Sequence, residues 1–292
     1  MRTSTFTDLH EKAFHRSALW TARMMVVLLT LFTTARATAS PPDVKTIVGK
    51  MKAGLEPARP SACRIDMTMH SPLGDSTPWV ARQARKQLAD GSRVLTVIVE
   101  PESVRGVALL IWERKDGTAA QWLYLPFVRR VRKVAPAGAY ETFLNTDFTY
   151  YDLGFVGLHD RGFELLGEEL HNEMPAYKVQ EMPRNPWYYS RIVSWVAKDS
   201  FLPLQRDYYD PAGALWKTER FEEITAVDGV RTPLRITMED HDERTKTELK
   251  VSAVRYDATI PDELFDPDKL PQVVSHPLWS AATSPAGPGE PK

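Results

Sequence analysis

The stretch Cys63-Arg64-Ile65-Asp66-Met67-Thr68-Met69-His70 decides the fold class of this chain. Apolar side chains stand at every second position, and polar or charged side chains stand between them. Because successive side chains of a β-strand point to opposite faces, this pattern predicts a strand with one buried and one solvated face. The same alternation returns at 234–239 and 249–253.

Ten further segments are strand candidates, and turn signals such as Asp90-Gly91 and Asp228-Gly229 separate them. They are 78–88, 92–100, 105–114, 119–125, 129–134, 163–171, 175–182, 190–198, 202–209 and 214–224. Short strands joined by such turns predict a mainly β fold, either an antiparallel barrel or a strongly curved sheet. One helix is predicted before them, because apolar residues recur there at helical spacing. These residues are Val44, Ile47, Val48, Met51 and Leu55.

Two of the strand candidates, 94–99 and 107–112, are apolar on both faces. Such strands lie in the middle of a sheet that is covered on both sides. The predicted helix and an internal cavity would supply the two covers. The alternative is a filled core with a loop lying across it.

Residues 139–162 break the strand pattern. Aromatic side chains crowd there among polar ones: Tyr140, Phe143, Phe148, Tyr150, Tyr151 and Phe155. A long aromatic connection in a β protein is often a lid or a binding loop. After Leu270 the chain becomes rich in Pro, Ser and Gly. We therefore predict a single domain over 40–272 and a disordered tail over 273–292.

The first 39 residues are typical of an export signal. Basic residues precede an apolar run, Met24 to Phe32, and small residues then offer cleavage sites near Ala37 or Ala39. The apolar stretch is shorter than the roughly 20 residues that span a bilayer. No cysteine stands directly after the cleavage site, so lipid attachment is not predicted. These features predict a soluble periplasmic protein.

Composition and motifs favour binding over catalysis. The formal net charge of −1 gives no basic footprint for nucleic acid. The sequence has no G-x-S-x-G elbow, no Gly-rich phosphate loop and no histidines at zinc-ligand spacing. We therefore predict no enzyme activity, no cofactor and no metal site. Cys63 shares the apolar face of its strand, so we expect a buried, inert thiol.

The basic residues are concentrated in one patch, Arg129, Arg130, Arg132 and Lys133. Alternation places Arg130 and Arg132 on the same face of their strand. One interpretation is a solvated edge strand that charge protects from pairing. The other is a cationic rim that holds an anionic head group beside an apolar cavity.

Several segments of the chain together resemble one known family. They are 105–110 (RGVALL), 122–126 (WLYLP), 129–132 (RRVR), 143–148 (FLNTDF), 228–233 (DGVRTP) and 260–265 (IPDELF). They are similar to the LolA-like outer-membrane lipoprotein-sorting proteins, over about residues 60–270. Family members often carry a Gly-Ser pair where this chain has Asn145-Thr146, so the local loop conformation is expected to differ.

The resemblance implies an unclosed antiparallel β-barrel whose helices cover the concave face and enclose an apolar cavity. It implies a monomeric periplasmic carrier that takes acyl chains of lipoproteins or other lipids toward the outer membrane. An inner-membrane exporter, either lipoprotein-releasing or of the resistance type, would supply the cargo, and an outer-membrane acceptor would receive it. The alternative is an envelope-stress or partner-binding regulatory module without cargo transfer.

On this reading, two groups of residues are candidates for the site, and the facing of those on strands is inferred from alternation. The lipid-cavity candidates are Val97, Leu109, Ile111, Leu123, Phe143 and Phe148. Arg130 and Arg132 are the candidates for a head-group rim. Residues 139–162 and the predicted helix are the candidate lids.

Overall fold

The computed structural model describes residues 41–135, 138–153, 161–184 and 188–281. The predicted export signal and residues 282–292 lie outside these ranges, as do residues 154–160 with Phe155. No helix in the described ranges is both long and apolar enough to cross a bilayer.

Thirteen strands make up most of the described chain. They are β1 Ser61–His70, β2 Ser76–Leu88, β3 Gly91–Glu100, β4 Ala108–Arg114, β5 Ala119–Leu125, β6 Arg130–Lys133, β7 Arg161–His171, β8 Met174–Pro183, β9 Arg191–Ala197, β10 Pro203–Tyr209, β11 Leu215–Val227, β12 Val230–Asp240 and β13 Thr245–Tyr256. The helices are α1 Val44–Leu55, α2 Leu270–Val273 and α3 Leu278–Ala281, with short 3-10 turns at Glu102–Val104, Asp262–Phe265 and Pro267–Lys269. Each predicted strand overlaps an observed one.

All thirteen strands form one antiparallel sheet in the order β6-β5-β4-β3-β2-β1-β13-β12-β11-β10-β9-β8-β7. Neighbours in sequence pair as hairpins, except that β1 pairs with β13 and that β6 and β7 are the two edges. The sheet is therefore not closed into a barrel. The predicted mainly β, unclosed antiparallel fold is confirmed.

The register defines two faces of this sheet. Leu109 pairs with Thr96 on one side and with Leu123 on the other, so these three side chains share a face, here called the inner face. Ala108 pairs with Val97 and Tyr124, which share the opposite or outer face. The two faces carry different covers.

Helix α1 packs on the inner face near the β7 edge. Its buried residues Ile47, Val48 and Met51 contact the cluster of Tyr177, Val179 and Val196. The helix begins after Asp43, whose carboxylate accepts a hydrogen bond from the Thr46 backbone N–H at 3.0 Å. Such a cap satisfies one of the donors left open at a helix start. The predicted helix is confirmed.

The C-terminal segment packs on the outer face. Leu264, Phe265 and Leu270 join a buried cluster with Leu95, Leu110 and other residues of β3 and β4. The indole N–H of Trp112 donates to the carbonyl of Phe265 at 2.9 Å. Strands β3 and β4 are therefore covered on both faces, as predicted. However, their outer cover is the C-terminal segment and not helix α1.

Packing continues past the predicted domain boundary at residue 272. Val273 and Trp279 are buried, and the Trp279 indole donates to the Val273 carbonyl at 2.6 Å. The tail prediction therefore does not describe residues 273–281. The average composition of residues 273–292 is rich in Pro, and it does not report the two apolar side chains that pack against the sheet.

Candidate functional site

Residues 138–153, here called the aromatic segment, lie across the inner face. Phe143, Phe148, Tyr150 and Tyr151 are at most 6% exposed and share one buried cluster with residues of β4 and β5. The carboxamide of Gln121 on β5 donates to the Tyr150 carbonyl at 2.7 Å. The inner face between β3 and β5 is therefore filled by this segment.

A tight turn shapes the tip of the aromatic segment. Leu144 and Asn145 adopt left-handed backbone conformations, with φ of 51° and 63°. Asparagine tolerates this region better than most non-glycine residues. The buried Thr146 hydroxyl donates to the Phe143 carbonyl at 2.8 Å. Asn145 and Thr146 thus support a tight turn at this position.

Asp147 ties the aromatic segment to β13. Its carboxylate accepts hydrogen bonds from the hydroxyls of Thr245 and Thr247, the latter at 2.6 Å. The Thr247 hydroxyl also lies 2.9 Å from the Asp147 backbone N–H, which donates to it. The ammonium of Lys217 donates to the Asp147 carbonyl at 2.8 Å.

Asp152 ties the other end of the segment. The hydroxyl of Tyr189 donates to its carboxylate at 3.0 Å, and the Thr149 backbone N–H donates at 2.8 Å. The Lys217 ammonium lies 4.0 Å from the same carboxylate, with the lysine side chain 1% and the aspartate side chain 0% exposed. One buried lysine on β11 therefore bridges both anchor points.

A second buried polar group lies beside Asp152. The hydroxyl of Tyr208 donates to the Glu219 carboxylate at 2.6 Å, and the guanidinium of Arg206 lies 3.5 Å from it. Burial raises the pKa of the Glu219 carboxyl, and the positive charge of Arg206 opposes this effect. Arg161 and Glu181 form a further buried ion pair on the same face.

A cavity of about 210 Å³ lies between the inner face, the end of α1 and the aromatic segment. Its apolar lining includes Leu55, Ile65, Phe148, Leu153, Phe221, Ile236, Leu249 and Val251. Its polar lining includes Asp152, Arg206 and Glu219. The cavity therefore combines an aliphatic wall with a group of charged side chains.

Cys63 also lines this cavity. It is the chain's single cysteine. Burial raises the pKa of its thiol to about 12. A thiol reacts as the thiolate, so Cys63 is a weak nucleophile at neutral pH.

The predicted cavity residues separate into three groups in the structure. Phe148 lines the cavity. Leu109, Ile111, Leu123 and Phe143 belong to the filled part of the inner face, against the aromatic segment.

Val97 lies on the outer face, in the cluster with Leu264 and Phe265. Its assignment to the same wall as Leu109 was wrong, because Val97 pairs with Ala108 while Thr96 pairs with Leu109. Alternation could not decide the face of a strand that is apolar on both sides.

Arg130 and Arg132 share a face with Leu123 and Leu125, in agreement with the predicted alternation. Both are exposed on the edge strand β6, and neither lines the cavity. Arg132 lies 3.5 Å from the carboxylate of Glu141 in the aromatic segment. These residues therefore flank the aromatic segment at a distance from the cavity.

Sequence reasoning missed most of the cavity wall. The alternation of apolar and polar residues did predict the strands that carry Ile65, Leu249 and Val251. Which part of the apolar face stays empty depends on where the aromatic segment rests, and no local pattern reports this. In the described ranges, no cluster of three or more His, Cys, Asp or Glu side chains is arranged to hold a metal ion.

Solved structures with this architecture come from several bacteria. A domain from Vibrio parahaemolyticus, named as an outer membrane lipoprotein-sorting protein, is 26% identical, with 77% of this chain and 97% of that chain covered and a TM-score of 0.72. A family model described as "-like: Uncharacterized protein" matches residues 90–272. The chain belongs to the LolA-like family.

Two further structures share the fold of this LolA-like chain. A DUF1329 family protein from Desulfovibrio piger is 24% identical, with 79% of this chain and 100% of that chain covered and a TM-score of 0.71. A LolA superfamily protein from Nitrosomonas europaea is 21% identical, with coverages of 78% and 99% and a TM-score of 0.63. No curated protein matches the sequence.

Replacing Lys217 with Met should lower the free energy of unfolding by about 3 kcal/mol, because it leaves buried acceptors without their cation. Urea denaturation measures this change. Adding Asp152→Asn to the same chain should recover part of the loss, because the second change removes the orphaned charge. A loss below about 1 kcal/mol for Lys217→Met alone would show that the lysine does not hold the segment.

The reaction of Cys63 with a thiol reagent should be slow at pH 7 and rise about tenfold per pH unit up to pH 9.5, because the thiolate fraction grows in this proportion below the pKa. Stopped-flow absorbance with a disulfide reagent measures the rate. The denatured chain provides the fast control. A rate that levels off below pH 9 would contradict the raised pKa of this thiol.

Proposed function

We propose that this protein carries acyl chains of lipoproteins or other lipids through the periplasm, with the chain held in the cavity beneath α1 and the aromatic segment. The observation that supports this most directly is the cavity itself, because aliphatic side chains from β1, β12 and β13 line it. Such a surface suits hydrocarbon. The lipoprotein-sorting name of the Vibrio parahaemolyticus domain agrees with this role.

The size of the cavity indicates that its cover must move to admit cargo. An apolar cavity of about 150 Å³ holds one benzene molecule, and small-molecule pockets usually reach about 300 Å³ or more. The cavity of about 210 Å³ therefore accepts a short length of acyl chain as it stands. Displacement of the aromatic segment, whose rings occupy the neighbouring inner face, would extend it toward β4 and β5.

The free energy gained by burying an acyl chain is similar in size to the cost of exposing the aromatic segment. Each buried methylene contributes about 0.8 kcal/mol, so ten methylenes contribute about 8 kcal/mol. Returning four aromatic side chains to water costs about 6–12 kcal/mol. Cargo that takes the place of these rings therefore exchanges one apolar contact for another. Loading and release can then be driven by a partner that favours the open form.

Asp152, Glu219 and Arg206 would meet the polar end of the cargo. Together they offer both hydrogen-bond acceptors and donors, which suits the amide, ester or hydroxyl groups next to an acyl chain. A methylene tail alone would make no hydrogen bond with these side chains. The polar lining thus favours a lipid with a hydrogen-bonding linkage over a plain hydrocarbon.

The periplasmic location in this proposal follows from the predicted export signal. An exported carrier would receive its cargo from an inner-membrane exporter and pass it to an outer-membrane acceptor. We propose that it acts as a monomer, since one cavity serves one chain at a time.

Protein isolated without detergent should retain bound lipid, visible as added mass in native mass spectrometry. Val251→Phe should lower the bound fraction at least tenfold, because the larger ring fills the cavity that Val251 lines. Leu166→Phe is the matched control, since Leu166 is 43% exposed on β7 and the same change adds bulk outside the cavity.

Several preparations of the unaltered protein that show only the bare polypeptide mass would contradict the carrier role. Crosslinking to one envelope protein in such lipid-free preparations would instead favour the regulatory module. Equal lipid occupancy in Val251→Phe and in the unaltered protein would place the lipid elsewhere.

A further inference from the structure

The β5–β6 hairpin ends in two exposed apolar side chains. Phe127 is 70% exposed and Val128 is 57% exposed at its tip. The turn is held by backbone hydrogen bonds from Val128 to Leu125 at 3.3 Å and from Arg129 to Pro126 at 3.1 Å. A rigid turn thus presents an aromatic ring and an isopropyl group to solvent.

Positive charge is concentrated in the residues that follow this tip. Arg129, Arg130, Arg132 and Lys133 follow it within the next five positions, and all four are exposed. Arg132 pairs with Glu141, whereas Arg129 and Arg130 form no ion pair with any residue in the described ranges. The formal charge of the whole chain is −1, so this charge is a local feature.

The backbone at Arg129 adds an independent observation. Its φ is 52°, in the left-handed region that glycine or asparagine occupies with less strain. Glycine is the usual residue at such a hairpin position. This position therefore carries a positive charge where a glycine would carry none.

We infer that this tip docks the protein on an anionic membrane surface. Phe127 and Val128 would enter the boundary between head groups and acyl chains, while Arg129 and Arg130 would contact lipid phosphates. Each basic side chain near such a surface strengthens binding about fivefold. The inference does not depend on the proposed carrier role, because no residue of the cavity takes part.

The sheet topology supports a membrane as the partner. Hairpins alternate between the two ends of the antiparallel sheet, so the β1–β2 and β5–β6 loops lie at the same end. Leu73 in the β1–β2 loop is 90% exposed there. A protein partner usually buries about 800 Å² on each side, which a two-residue tip does not supply. Separate apolar tips that enter one lipid surface need no such contiguous area.

Vesicle flotation tests the inference with the purified chain. Vesicles that contain phosphatidylglycerol should bind it, and vesicles of phosphatidylcholine alone should bind it at least tenfold more weakly. Phe127→Ser should lower the partition coefficient about tenfold. The double change Arg129→Gln, Arg130→Gln should lower it about 30-fold, with the effect fading at high salt.

Two further variants make the test specific. Leu170→Ser is the matched control, because Leu170 is 69% exposed but lies on β7 near Glu168 and Glu169. It should leave vesicle binding unchanged. Arg129→Gly should bind vesicles about fivefold more weakly while its melting temperature does not fall, because glycine adopts this backbone conformation freely.

Three results would overturn the inference. One is unaltered vesicle binding by Phe127→Ser or by the double arginine variant. Another is a loss in Leu170→Ser as large as that in Phe127→Ser. The third is binding to soluble polyglutamate as tight as to the anionic vesicles, which would indicate an acidic protein partner.

Discussion

The ammonium of Lys217 holds the aromatic segment to the sheet, and the shape of the cavity depends on that attachment. This side chain donates to the backbone at Asp147 and lies near the carboxylate of Asp152, so one charge on β11 fixes two points of the segment. At 4 Å and an effective dielectric constant of 20, such a pair gains about 4 kcal/mol. Burial of the two charges costs several kcal/mol for each ion. The pair therefore fixes position more than it adds stability.

Apolar contact supplies the stability that this pair does not. Four aromatic side chains of the segment are buried on the inner face, and each contributes about 1.5–3 kcal/mol. The same kind of contact would bind an acyl chain. Under the proposed carrier role, the aromatic segment would move aside for an acyl chain while the sheet beneath it stays folded. The thirteen-stranded ladder, by contrast, is held by backbone hydrogen bonds that cargo cannot replace.

The strands could be predicted from the sequence, whereas the site could only partly be predicted. Alternation such as that of Cys63 to Met69 is a local property, because each strand must bury one face, and every predicted strand is present. Val97 was placed on the wrong face because β3 is apolar on both sides. Alternation then has no polar face from which to identify the buried one. Trp279 was assigned to a disordered tail because composition averages over its neighbours. The contact of Lys217 with Asp147 and Asp152 joins residues distant in sequence, and no spacing rule indicates it.

The proposed carrier role requires that the aromatic segment opens while the sheet stays folded. Hydrogen exchange measures this directly, because the amides of Phe143, Thr146 and Tyr150 each donate a backbone hydrogen bond within the segment. The carrier role predicts that these amides exchange through a local opening, with a free energy well below that of amides in β12 and β13. It also predicts that bound lipid changes their exchange rates. Exchange of these amides only through global unfolding, with rates that lipid leaves unaltered, would contradict it.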